Sequence, residues 1–353
     1  VSVSDIFKKN DRQLLSPLGS LDDEKWDKYT DRLNNIRKIA DYEYVMQVLD
    51  KNMSYEEVTE IFVRVNSLGI KLRGSDLALA QVTSRWKGFM NLIETFAKEF
   101  SDDQDYIINT GLPVRTMVIF ATQQSRFKTV GKISKDSLEK SWKLAQNGLR
   151  FAVNFLRSNA KIDNLSHLSS PFLIIPIATY AIIKNEHLTP EEERKLLRWF
   201  YLAHMRGHYG MGSSESILDL DLSILFKTNS LDELISQLQV HVKKFTVDSG
   251  DIASKGIRSP FFSMMYFVFK QYGAKDWQSG LSISAKHMGK SHLLQYHHIF
   301  PKALLKENGY EKKEINEISN MAFIGGKTNR QITSKDPKVY FEDVIQKLSL
   351  IHI

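Results

Sequence analysis

Cysteine is absent from the 353 residues, which removes disulfides, thiolate nucleophiles and zinc–thiolate centres from consideration. The absence fits a reducing compartment, and a cytoplasmic protein is expected. No apolar run reaches the roughly 18 residues a membrane helix needs, so no membrane partner is expected. The most apolar stretch, PFLIIPIATYAII (171–183), is short and carries two prolines, which predicts a buried helix. No repeat of fixed period and no low-complexity tract occurs. The first residues, VSVSDIFKK, lack an initiator methionine and a signal-peptide pattern, and read as the start of a fragment of a longer protein.

What is present is ordinary globular composition, 42% hydrophobic and 25% charged, at a length that suggests two or three domains. Net charge is +7, and it is unevenly spread. Residues 286–338 hold ten Lys/Arg against five Asp/Glu, so this stretch alone carries +5. Such an excess is either a solvated basic face or a phosphate-binding one.

Helical periodicity dominates the chain. Residues 22–42 place Trp26, Tyr29, Leu33 and Ile36 on one stripe. Residues 42–50, YEYVMQVLD, alternate weakly and predict a strand. Residues 54–69 open with a capping box, Ser54 to Glu57, and stop at Gly69. A cap at Ser75 or Asp76 opens one long helix that continues to about 100. Residues 103–245 read as a bundle of about six helices, with Pro190 and three glutamates at one helix start. The Gly/Ser/Asp-rich segment 246–260 reads as a domain boundary. After it come a helix from Pro260, two short strands ending near His298 and Gly325, and two more helices.

The stretch QYHHIFPKALL (295–305) sets two of the chain's ten histidines side by side, just before a proline. Four polar positions in the last sixty residues merit a chemical reading beside a plain one. His298 is either a general base or a satisfied core histidine. His297 is either a metal ligand or a solvent-facing ring. Adjacent strand residues point to opposite faces, so both serve one site only if the strand bends or ends there. Asn320, at the opening of the second strand, reads as turn chemistry. Asn329 is either a helix cap or an oxygen donor to a hard cation. Arg330, Lys327 and Lys335 are either surface charges or phosphate contacts. Elsewhere, Arg64 and Asn66 are candidates to touch a nucleotide in a complete protein. Arg206, His208 and Tyr209, in a glycine-rich interhelix loop, are candidates for a DNA backbone contact. His287 and His292 read as surface residues.

The order of the four positions resembles the ββα-metal, or HNH, endonuclease motif over roughly 290–340: His-His at a strand end, a basic loop, Asn at the next strand, then Asn-Arg on a short helix. The resemblance implies His298 as the base that activates water, with Asn320 orienting it or bracing the loop. It implies His297 and Asn329 as ligands of one divalent cation, and Arg330, Lys327 and Lys335 beside the phosphate. Many members have aspartate where this chain has His297. A neutral ligand there shifts preference from magnesium towards softer ions. Magnesium or manganese is expected, with nickel or zinc as alternatives.

A second resemblance is to GmrSD-type modification-dependent restriction enzymes. YEEVTEIFVRVNSLGIKLRGSDLALA (55–80) resembles the end of their ParB-like N-terminal domain, and YGAKDWQSG (272–280) the run-in to their C-terminal nuclease domain. Their DGQQR nucleotide-hydrolysis motif is absent here. The expectation is therefore a mainly α protein, a helical bundle with a small C-terminal α+β unit. Residues 1–100 would be the remnant of a ParB-like domain, 101–250 a helical middle, and 251–353 an HNH-like nuclease domain. The expected function is hydrolysis of phosphodiesters in DNA, modified DNA included, as a defence against phage. A homodimer is a candidate state, because a double-strand cut from one metal centre needs two sites or two visits. The alternatives are a catalytically inactive helical nucleic-acid-binding or regulatory module and a helical interaction scaffold.

Overall fold

The computed structural model describes every residue except 1, 47, 54–56, 59–60, 62–64, 66–72, 102–107, 163, 286, 288 and 352–353. It is mainly helical, with one two-stranded antiparallel sheet among the described residues. No described helix is long and apolar enough to cross a membrane. The chain divides into two compact units, Val1–Ile70 and Lys71–Ile353.

The first unit holds α1 (Val3–Lys8), α2 (Asp11–Leu15) and α3 (Asp23–Arg37). Asp22 caps α3 by accepting the Lys25 N–H at 2.8 Å. The predicted stripe forms: Leu33 is buried with Ile6, Leu14 and Leu15, and Trp26, Tyr29 and Ile36 pack on that cluster. Arg37 ties the corner, donating to the carbonyls of Ile6 and Lys9 at 2.9 Å and pairing with Asp11. The strand expected over 42–50 does not form. Its described residues are neither strand nor helix, and Val45 is 99% exposed. Weak alternation does not make a strand without an edge to pair with. The helix expected over 54–69, including its caps and Arg64 and Asn66, lies for the most part outside the described residues.

In the second unit the expected long helix is two, α4 (Gly74–Arg85) and α5 (Phe89–Ser101). Gly88, at φ +85°, takes a left-handed turn that a helix interior cannot contain. Neither predicted cap, Ser75 or Asp76, is the cap: Arg73 is, and both lie inside the first turn, where Asp76 accepts the Arg73 N–H at 3.1 Å.

Among the described residues six α-helices follow: α6 (Gly111–Thr122), α7 (Lys135–Ala160), α8 (Ile174–Ile183), α9 (Pro190–Met205), α10 (Ser214–Thr228) and α11 (Leu231–Val242). Their starts are written locally. Thr189 and Glu192 form a reciprocal capping box around Pro190, and Ser134, Ser213 and Ser230 cap α7, α10 and α11. The apolar run at 174–183 is the buried α8. α7 lies close on it because residue 148 is glycine: a Cβ there would stand 2.9 Å from the Ala178 carbonyl oxygen.

The same hydrophobic core runs on into the C-terminal residues. Phe262 and Tyr266 of α12 (Pro260–Gln271) pack on Phe323 at ring distances of 4.9 and 5.3 Å. Phe323 belongs to β2 (Met321–Gly325), which pairs with β1 (Leu294–His298) so that His297 faces Ala322 and His298 faces Met321. α13 (Lys302–Glu307) lies in the connection between the strands, α14 (Gly326–Ile332) follows β2 directly, and α15 (Pro337–Ile351) closes the described chain. β2 is buried on both faces. Met321 and Phe323 enter the large core, while Ala322 and Ile324 enter a smaller one with Ile332, Tyr340 and Val344. That explains why MAFIG reads as a continuous apolar run rather than an alternation.

Candidate functional site

The pleat decides where the paired histidines go. His297 lies on the face of the small core, 5% exposed, with its ring 6.0 Å from those of Trp277 and Tyr340. The solvent-facing position open to it from sequence is thereby corrected: the strand's inward face claims the ring. Its Nδ1 stands 2.8 Å from Asn329 Oδ1. Asn329 Nδ2 donates to Gln295 Oε1 at 2.6 Å, which turns the amide oxygen towards the ring. The network therefore assigns the proton to Nδ1, donating to Asn329, and leaves Nε2 buried without a partner. Burial holds the His297 pKa below the usual imidazole value, against the Asn329 bond, which raises it.

His298, the last residue of β1, turns to the other face and is half-buried. Its Nε2 is 3.1 Å from Asn316 Oδ1. Asn316 Nδ2 in turn donates to the Lys312 carbonyl at 2.7 Å, so the amide presents an acceptor to the ring. His298 carries its proton on Nε2, and Nδ1 keeps the basic lone pair. Burial lowers its pKa, opposed by the Asn316 bond and helped by Lys302 and His297. The ring is neutral at pH 7.

Asn320 is 8% exposed and acts as a brace. Its Oδ1 accepts the Phe300 N–H at 2.7 Å, and its Nδ2 donates to the carbonyls of Phe300 at 3.1 Å and Ile315 at 3.0 Å. The chain leaving His298 is thus pinned to the start of β2, and the Ile299 N–H reaches the Asn320 carbonyl at 2.9 Å. Arg330 is exposed and donates to the Lys290 carbonyl at 2.8 Å. Lys327 and Lys335 are exposed as well. Neither forms an ion pair among the described residues, and Lys327 lines a small polar cavity with Asp276 and His292.

The structure therefore brings His297 and Asn329 together, gives His298 a separate partner, and makes Asn320 a loop brace. Asn316, Gln295 and Asp276 were not visible as participants in the sequence. Asp276 is 4% exposed and joins three segments. Its Oδ1 accepts from the Ser279 N–H at 2.8 Å and the Thr328 hydroxyl at 2.7 Å, and its Oδ2 from the Gly325 N–H at 2.7 Å. Burial pushes its carboxyl up, but these hydrogen bonds outweigh it and leave the pKa below the ordinary value. The D-x-x-S spacing of DWQS was the available signal, a local side-chain turn.

The interhelix loop after α9 is not a surface contact. His208 and Tyr209 are buried, and both bond Asp221 Oδ2, at 2.9 and 2.7 Å. Arg206 is paired with Asp251 at 2.8 Å.

Among the described residues, no three His, Asp or Glu side chains converge on a metal position. His297 and Asn329 present two donors to a divalent cation only in the other tautomer, with the imidazole proton on Nε2 and the Nδ1 lone pair beside Asn329 Oδ1. Their 2.8 Å separation is close to the ~3 Å edge between adjacent ligands of an octahedral ion at ~2.1 Å. Both donors are neutral.

No family model matches the chain. Over 328 residues it is 24% identical to an uncharacterized protein of Methanocaldococcus jannaschii, an alignment that covers 86% of this chain and 53% of that protein. The chain thus spans about half the length of the curated relative it matches.

Proposed function

We propose that residues 294–332 form an HNH-like ββα-metal unit and that the chain is a metal-dependent DNA endonuclease of the GmrSD-type restriction class. The observation that carries this reading is the 2.8 Å contact between His297 on β1 and Asn329 on α14, next in sequence to a neutral, half-exposed imidazole at 298, where β1 ends. A divalent ion held by His297 and Asn329 would supply electrostatic relief to charge developing on the phosphoryl group.

The remaining chemistry belongs to the side chains. Asn316 holds the Nε2–H of His298, so Nδ1 is free to take a proton from the attacking water. The new O–P bond forms as the P–O bond to the leaving nucleotide breaks. Asn320 fixes the backbone just after the base, which keeps its position set. The exposed Lys327, Arg330 and Lys335 supply positive charge to a phosphate backbone. DNA, including modified DNA, is the substrate in this reading, the cytoplasm its place, and a homodimer the arrangement that would cut both strands.

A second reading, a catalytically inactive nucleic-acid-binding module, is favoured by the donor set: with no carboxylate in the pair, nothing at the site offsets a divalent charge. Supercoiled plasmid and magnesium or manganese separate the two. Metal-dependent nicking by the wild type, lost in His298→Ala and Asn329→Ala, is expected. Equal inertness of wild type and His298→Ala across metals and modified DNAs would sink the enzyme. Salt-sensitive DNA binding without cleavage would establish the second reading.

A further inference from the structure

Away from the hairpin, an open cavity of about 560 Å³ lies along α9. One wall is a single helical face, in which Arg194, Leu197, Arg198 and Tyr201 recur at the three- and four-residue spacing of one stripe. The other wall is Phe245 and Thr246. That second wall is fixed in place: Arg206, at the end of α9, donates to the Thr246 carbonyl at 2.6 Å and pairs with Asp251 at 2.8 Å. Lys244 also pairs with Asp251, at 3.2 Å, so the segment is tied from two directions.

The charges in the groove are one-sided. Arg194 and Arg198 are exposed and, among the described residues, neither has a carboxylate partner. The carboxylate on the preceding turn, Glu191, is taken by Lys195 at 3.0 Å. Tyr201 and Phe245 are half-buried and offer aromatic surface to the cavity between them. Unpaired guanidinium groups beside aromatic and aliphatic walls are complementary to a ligand with an anionic edge and a flat ring. A nucleotide combines the two, and a cavity of this size accepts one. The groove is open, which suits a strand that enters and leaves.

We propose that this groove binds a nucleotide of single-stranded nucleic acid, its base against Tyr201 and Phe245 and its phosphates at Arg194 and Arg198. The site does not rest on the hydrolytic reading of the hairpin, and its test needs no cleavage.

Fluorescein-labelled oligothymidylate is titrated with the full chain without divalent metal, and anisotropy is read. Arg194→Glu/Arg198→Glu is expected to weaken binding at least tenfold and to flatten the log–log salt dependence by about 1.4, the loss of two phosphate contacts on a single strand. Tyr201→Ala is expected to weaken it roughly tenfold with little change in that slope. Lys140→Glu/Lys143→Glu, an equal charge change on the exposed face of α7, is expected to matter less than threefold. Circular dichroism melts verify that each variant folds. The proposal is overturned if both double variants weaken binding equally, if Tyr201→Ala leaves it unchanged, or if thymidine monophosphate or a duplex of the same length competes as well as the strand.

Discussion

The helical middle and the C-terminal hairpin each hold a pair of histidines, and they treat them differently. In the middle, His204 and His208 are fully buried. His204 Nδ1 accepts the Ser169 N–H at 3.0 Å, and His208 shares the Asp221 carboxylate with Tyr209. In the hairpin, His297 and His298 take amide partners, and His298 keeps access to solvent. A histidine that binds a carboxylate in a sealed interior is part of the packing. One that is held by a neutral amide and left half-open retains a usable lone pair. The contrast teaches that access and partner type, rather than burial alone, separate a structural imidazole from a chemical one.

The two largest effects lie on opposite sides of this comparison. Asp221→Ala should cost about 2–5 kcal/mol of stability in a urea melt, because it leaves the His208 ring and the Tyr209 hydroxyl buried without their acceptor. His298→Ala should leave the urea midpoint nearly unchanged and slow metal-dependent cleavage 10²–10⁴-fold, roughly the loss of a general base. A variant at 298 that unfolds the protein, or one at 221 that does not, would erase the distinction.

A smaller effect appears on acidification. The folded pKa of His204 is depressed to about 4 by burial, with His167 adding to the shift. Between pH 6.5 and 4 the unfolded chain therefore binds a proton that the native state does not. Stability contributed by this site is intact at pH 7, falls as pH drops through that window by about 3 kcal/mol in total, and falls no further below it. Urea melts at pH 7 and 4.5 should show the loss in the wild type and a flatter response in His204→Leu.

The smallest change is Lys335→Ala. This residue is exposed and unpaired, so stability should move by less than about 0.5 kcal/mol. If it meets a duplex phosphate, the salt dependence of DNA binding should shrink by about 0.9.

Much of the fold was legible wherever its cause was local. Thr189, Pro190 and Glu192 announce α9 within four residues, and the stripe from Trp26 to Ile36 announces α3. Order along the chain also placed both strands and the short helix with Asn329. What escaped depended on backbone geometry or on distant partners. Gly88 divides a helix through its positive φ, which composition does not reveal. Residues 42–50 alternate, yet among the described residues they pair with no strand. The burial of His297 follows from Trp277 and Tyr340, twenty and forty-three residues away by number. Asn316 and Asp276 act across 18 and 49 residues, and no periodicity encodes such reach.

Asp276 carries a last consequence. One carboxylate is simultaneously the anchor of its own turn, of the end of β2 and of Thr328 on α14. A keystone of that sort makes fraying an all-or-nothing affair. The amide hydrogens of Ser279 and Gly325 should exchange with deuterium at matching rates, since neither can open to water unless the whole clasp lets go.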